Sequence, residues 1–170
     1  NIARTPLNGR NFEYMGEDPF LVSKIAVPYI KAIQDNGIAV CVKHFALNNQ
    51  EYQRDTVNVE VSERALREIY LPAFKAAVTE AGAWSVMGAY NKFRGQYCCH
   101  NNYLINDILK GEWKFDGAVI SDWSGTKNAY EAAMNGLDIE MGTLKPYNEY
   151  YMADSLLYFV RNGKVPMEKL

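Results

Sequence analysis

Four short apolar runs, each followed by a helical pattern, place the strongest limit on how this chain can fold. They are Ile38-Ala39-Val40-Cys41-Val42, Trp84-Ser85-Val86-Met87-Gly88-Ala89, Gly117-Ala118-Val119-Ile120 and Leu137-Asp138-Ile139-Glu140-Met141. The first is apolar at consecutive rather than alternate positions and rich in β-branched residues, as expected of a parallel strand buried on both faces. The intervening segments change period. Asp18-Pro19 reads as an N-cap and first helical position, and Leu21, Ile25, Tyr29 and Ile33 form a row that ends at Asn36-Gly37. Ser62 caps a second helix in which Leu66, Ile69, Ala73, Phe74 and Ala77 share a face up to Gly82, with a bend expected at Pro72. Further helices are predicted from Tyr103 to Lys110, from Lys127 to Asn135 and from Asp154 to Arg161.

Regular alternation of strand and helix gives a parallel sheet with helical crossovers, as a doubly wound open sheet or as part of a TIM barrel. The polar residues that end the strands separate the two. Lys43-His44, Tyr90-Asn91 and Ser121-Asp122-Trp123 close three successive strands, and a barrel gathers its chemistry at such ends. An open sheet would concentrate ligand residues at one switch point, with a glycine-rich phosphate turn. Gly82, Gly88 and Gly95 lack that spacing. The predicted fold is therefore α/β, a (β/α)8 TIM barrel. A complete barrel takes about 250 residues, so an incomplete one of about four to five βα units is expected. Asn1-Ile2-Ala3-Arg4 reads like the tail of a strand already under way, which points to a segment of a longer polypeptide. No internal repeat or linker interrupts residues 1–170, which are read as one unit.

Composition narrows the partners. A net charge of −2 offers no broad basic face for a phosphate backbone, so no nucleic acid partner is expected. No apolar run approaches the roughly 20 residues that span a bilayer, so no membrane partner is expected either. The three cysteines include the adjacent pair Cys98-Cys99 and have neither zinc-site nor disulfide-scaffold spacing, and they are read as packing residues or free thiols. His44 and His100 lack the spacing of a helical metal site. No metal and no cofactor are expected.

The strand ends hold one carboxylate, cations, a phenol, an indole and an imidazole, with no serine or cysteine beside a histidine in triad fashion. A carboxylate near cations favours its charged form and can attack a carbon. Trp123 offers a flat apolar face for a sugar ring, while Arg10, Lys43 and His44 can donate hydrogen bonds to hydroxyls. The set suits a carbohydrate.

Several segments resemble family 3 of the glycoside hydrolases in order and spacing. They are Asn8-Gly9-Arg10-Asn11-Phe12-Glu13 with Gly16-Glu17-Asp18-Pro19, Lys43-His44-Phe45-Ala46-Leu47-Asn48-Asn49-Gln50-Glu51, Arg54, Ser62 to Phe74, Val86 to Asn91, and Phe115 to Trp123. The resemblance implies a retaining, exo-acting β-glycosidase with Asp122 as its nucleophile. By the same resemblance Arg10, Lys43, His44, Arg54, Met87, Tyr90 and Trp123 would bind the substrate, a β-linked oligosaccharide or glucoside. The acid/base would come from a downstream α/β sandwich domain outside the chain, in the remaining part of the parent polypeptide. A β-N-acetylhexosaminidase would carry a glycine-rich loop after the Lys-His strand, and Ala46-Leu47-Asn48-Asn49-Gln50-Glu51 departs from it. The β-glucosidase type is thus favoured over a β-xylosidase or another exo-glycosidase. A non-catalytic carbohydrate-binding or structural fragment is the alternative of a different class. Glu13, Glu51 and Asp138 are expected to pair with neighbouring arginines rather than to catalyse. The compartment is left unassigned.

Overall fold

The computed structural model describes residues 1–142 and 144–170. Its strands are β1 (Cys41–Phe45), β2 (Asn58–Val59), β3 (Ser85–Gly88), β4 (Lys92–Phe93), β5 (Gln96–Tyr97) and β6 (Ala118–Ile120). The α-helices are α1 (Pro19–Gln34), α2 (Glu63–Ala65), α3 (Pro72–Thr79), α4 (Ala129–Met134) and α5 (Leu156–Arg161). Wider, π-helical turns fill Leu66–Tyr70, Tyr103–Glu112 and Tyr151–Ser155.

A parallel sheet in the order β1-β3-β6 carries the fold, with helical segments between its strands. Its register aligns Lys43, Met87 and Ile120 on one rung, just below the polar strand ends. The ladder then slips: Phe45, not His44, faces Gly88. His44 is thus the extra residue of a bulge, a device that re-aims a side chain at the end of a strand. The Lys43–His44 and Phe45–Ala46 peptides are cis.

Two predicted strands are shorter than expected. β1 begins at Cys41, leaving Ile38 60% exposed, and it has a strand neighbour on one side only among the described residues. Burial grows along the strand: Cys41 and Val42 are half-buried, Lys43 is exposed, and His44 and Phe45 are buried. The run Leu137–Met141 contributes one isolated bridge, Ile120 to Ile139. The Asp138 carboxylate explains this, because its Oδ2 accepts the Val119 amide at 2.7 Å and so occupies a donor that a longer ladder would use. Asn1–Arg4 forms no strand, although Asn1 N donates to Lys43 O at 2.9 Å.

Asp18 caps α1 as predicted, with Oδ1 accepting from the amides of Phe20 and Leu21 at 2.8 and 2.9 Å. The buried row is one position off the predicted one. Val22, Ala26 and Ile30 face inward, while Leu21, Ile25 and Tyr29 are exposed. Small residues decide this: Ala26 meets Ala77, Ala81 and Ala83, so α1 and α3 approach closely where bulkier side chains would hold them apart. The segment from Ser62 also differs from a single bent helix. Ser62 Oγ accepts the Ala65 amide, a π-helical stretch follows, and Pro72 opens α3 at a position that needs no donor.

Below the strand ends, Phe45 is wholly buried and packs edge-on against Phe74 and Trp113, with ring centroids 5.2 and 5.9 Å apart. Leu66, Val86, Leu104, Ile105, Ile108, Leu109 and Val119 complete the same cluster. A second small sheet, β2-β4-β5, was not foreseen. Arg94 and Gly95 both have positive φ, 51° and 82°, as a type I′ hairpin turn requires. Among the described residues no helix is long and apolar enough to cross a membrane. The whole is an α/β arc of barrel type, incomplete as predicted; among the described residues its parallel sheet has three strands, and Ile139 bridges to β6 at a fourth strand position.

Candidate active site

The carboxyl ends of β1, β3 and β6 converge on Asp122. This residue follows β6, is 4% exposed, and sits in a turn closed by Gly125 N donating to Asp122 O at 2.8 Å. Its two carboxyl oxygens have different surroundings. Oδ1 accepts the Trp123 amide at 2.8 Å, which fixes the side chain. Oδ2 has no hydrogen bond among the described residues and lies 3.4 Å from His44 Nε2. One oxygen is anchored and the other is buried beside His44.

His44 is 1% exposed, delivered there by the bulge in β1. Burial, reinforced by the charges of Arg10 and Lys43, lowers its pKa to about 3, so the ring is neutral at pH 7. Tyr90, two residues beyond β3 and also buried, is pushed up to about 12 by burial first and by the negative charge of Asp122 second. Its phenol therefore keeps its proton near neutrality. The Arg54 guanidinium stacks 4.4 Å above the Tyr90 ring, a cation–π contact that joins the loop after β1 to the end of β3.

Around this pair runs a chain of alternating charges. Arg10 pairs with Glu13, Glu13 reaches Lys43 at 3.1 Å, and Arg54 holds Glu51 at 2.7 Å. Glu13 is held below the usual carboxylate range, burial being outweighed by its bonds to Arg10 and Lys43. Asp138 pairs with Lys110 at 3.0 Å, a lysine rather than the expected arginine. Met87 lies in the central strand between Lys43 and Ile120, half-buried. Trp123 joins the site through its backbone, with its side chain 46% exposed. A separate cavity of about 250 Å3 beside β1 reaches this group only at Glu13 and Lys43, and Asp122 does not line it.

Sequence reasoning missed a layer beneath these residues. Asn91 Nδ2 donates to Ala46 O at 3.4 Å, and the Cys98 and Cys99 thiols donate to Ala46 O and Ala89 O at 3.4 and 3.3 Å. Burial pushes the Cys98 thiol up to about 12 and Cys99 higher still, so both remain neutral hydrogen-bond donors. The position of Asn91 directly after Tyr90 was the one available signal. The cysteines gave none beyond their apolar character. Among the described residues no cluster of His, Cys, Asp and Glu is arranged to hold a metal ion.

All 170 residues match the N-terminal domain of glycosyl hydrolase family 3. The chain is 60% identical to beta-glucosidase BoGH3A of Bacteroides ovatus, covering 99% of this chain and 24% of that protein. It is 52% identical to thermostable beta-glucosidase B of Acetivibrio thermocellus over 97% of the chain and 21% of that protein. It is 41% identical to an exo-alpha-(1->6)-L-arabinopyranosidase of Bifidobacterium longum over its full length and 22% of that protein. Among solved structures, beta-glucosidase 3B from Thermotoga neapolitana in complex with glucose superposes with a TM-score of 0.92 at 43% identity, covering 99% of this chain and 24% of the other. The chain thus spans about a quarter of the length of these relatives. With its full length matched and its whole fold superposing on a solved relative, this chain belongs to glycosyl hydrolase family 3, in the N-terminal barrel domain.

Proposed function

We propose that the polypeptide containing this chain is a retaining, exo-acting β-glycoside hydrolase of the β-glucosidase type, with Asp122 as its nucleophile. One observation carries the proposal: a buried carboxyl at a strand end whose Oδ1 is fixed by a backbone amide while Oδ2, beside His44, has no hydrogen bond among the described residues. Oδ2 attacks the anomeric carbon, the glycosidic C–O bond breaks, and a carboxyl acid about 5 to 5.5 Å away gives its proton to the departing oxygen. Water then attacks the glycosyl-enzyme, the conjugate base takes the proton, and Asp122 is released. The acid/base belongs to a downstream α/β sandwich domain outside this chain.

Arg10, Lys43, Arg54 and neutral His44 hold the sugar hydroxyls. Trp123 and Met87 supply apolar walls, and the protonated Tyr90 phenol sits beside the nucleophile. The names of the glucosidase relatives, and the glucose complex of the Thermotoga enzyme, support a glucoside as substrate. The arabinopyranosidase relative keeps a second reading open, a pentopyranoside handled by the same residues, as a β-xylosidase or similar exo-glycosidase would do. The chain by itself, lacking the acid/base, is expected to bind sugar at most.

The test uses the full-length polypeptide and an aryl β-glucoside, with the anomer formed first followed by proton NMR. Retention is expected, and Asp122→Ala should abolish turnover. Unimpaired hydrolysis by that variant, or an inverted first product, would sink the assignment. Efficient turnover by the isolated 170-residue chain would place an acid/base within it.

A further inference from the structure

We infer that His100 is a positioning residue for the nucleophile loop, accepting the Lys127 amide and thereby holding residues 122–128 in register. The inference rests on the nucleophile role proposed for Asp122. His100 ends the short helical turn Cys98–His100 and is 1% exposed, a buried titratable group that the reaction described above does not use. Its Nε2 accepts the Lys127 amide at 3.2 Å. A nitrogen that accepts carries no proton, so the ring proton lies on Nδ1, which faces Glu131 Oε2 at 2.8 Å. Glu131 is in the first turn of α4, and the His100 carbonyl accepts Asn135 Nδ2 at 2.8 Å just beyond the end of that helix. One histidine thus grips the loop before α4 and both ends of the helix itself.

The preceding residue completes the grip. A Cβ on Gly125 would lie 2.6 Å from Cys99 Sγ, so the backbone of the Asp122–Gly125 turn rests directly on that thiol. On its other side, Cys99 bonds Ala89 O and leaves no space for a Cβ on Gly88, which would meet Cys99 Cα at 2.6 Å. The Cys98–His100 turn is therefore wedged between the end of β3 and the loop carrying Asp122 and Trp123. Cys99 sets how far apart they stand, and His100 sets where the loop continues. Burial also holds His100 below its ordinary pKa, which favours the neutral, accepting ring.

The experiment compares His100→Leu and His100→Gln in the full-length polypeptide. Leucine keeps bulk without an acceptor, whereas the glutamine amide oxygen can take the Lys127 N–H. For His100→Leu we expect kcat to fall by about tenfold to a hundredfold, the scale of a nucleophile displaced by about 1 Å, with KM changed far less. His100→Gln should recover most of that loss. Hydrogen exchange at the Lys127 amide should quicken in His100→Leu and return toward the original rate in His100→Gln. A His100→Leu variant that loses thermal stability but keeps kcat would overturn the proposal, as would a folded His100→Gln that recovers neither kcat nor amide protection. If the unaltered polypeptide lacks glycosidase activity, the nucleophile reading fails instead, and exchange at Lys127 still decides whether His100 holds the loop. If His100→Leu does not fold, Glu131→Gln, which leaves the ring's orienting partner uncharged, should lower kcat by a smaller factor, and an unchanged kcat with unchanged Lys127 exchange would count against the inference.

Discussion

Acidification should destabilise this chain through His44 before its carboxylates matter. The ordinary histidine value of 6.5 falls to about 3 in the folded state, because the ring is buried beside Arg10 and Lys43. Below pH 6.5 the unfolded chain binds a proton that the folded chain refuses, so stability is lost as pH drops from about 6.5 toward 3. One proton corresponds to about 1.4 kcal/mol per pH unit, and the 1.5 units between 6.5 and 5 amount to about 2 kcal/mol. Urea denaturation at pH 7 and pH 5 measures this loss, and His44→Phe should reduce it by about that amount. His100, also held below its ordinary value by burial, contributes in the same sense to what remains. The chain has two histidines, so their ring resonances can be assigned by comparing the two single variants. A folded-state His44 resonance titrating with a midpoint above 5, or an acid loss identical in His44→Phe, would refute the reasoning.

Three further outcomes follow from the packing. Phe45→Ala removes a wholly buried ring seated against Phe74 and Trp113 and should cost about 3 to 5 kcal/mol by urea denaturation. Gly88→Ala brings a Cβ against the Cys99 backbone, where no flexible side chain can yield, and should lower stability by about 1 to 3 kcal/mol. Ser121→Ala strands the Met141 amide, which now donates to Ser121 Oγ at 2.8 Å; the expected cost is about 1 to 3 kcal/mol, with faster hydrogen exchange at Met141.

What the sequence disclosed about the fold follows from where the information lies. The runs around Val86 and Val119 are read correctly because each centres a short apolar strand on a wholly buried β-branched residue. The cap at Asp18 is equally legible, since capping is local chemistry. The inward face of α1 is not: its two adjacent rows are both apolar, and the choice falls to alanines more than forty residues away in α3 and beyond. The β4–β5 hairpin escapes because two-residue strands show no period and Arg94 occupies a positive-φ position usually given to Asn or Gly. At the site, Lys43, His44, Tyr90 and Asp122 stand out as polar residues after apolar runs. Their mutual geometry does not, for it depends on the bulge that places His44 beside Asp122. His100 and Cys99 left still less trace, since a hydrogen bond to Lys127 and a contact with Gly125 are tertiary facts without a motif.

The shared rung of Lys43, Met87 and Ile120 has a consequence for how such a site can change by descent. The distance from that rung to Asp122 is counted in residues, and side chains alternate sides along a strand, so a one-residue insertion or deletion within β6 would turn the carboxyl to the opposite face. The stretch from Asn48 to Val57, which carries Arg54, has no such counting constraint. Under the proposed function, length changes there would alter which sugar is accepted while Asp122 stays where it is. Diversification of substrate range in this architecture is therefore expected to run through the connections, with strand lengths held fixed.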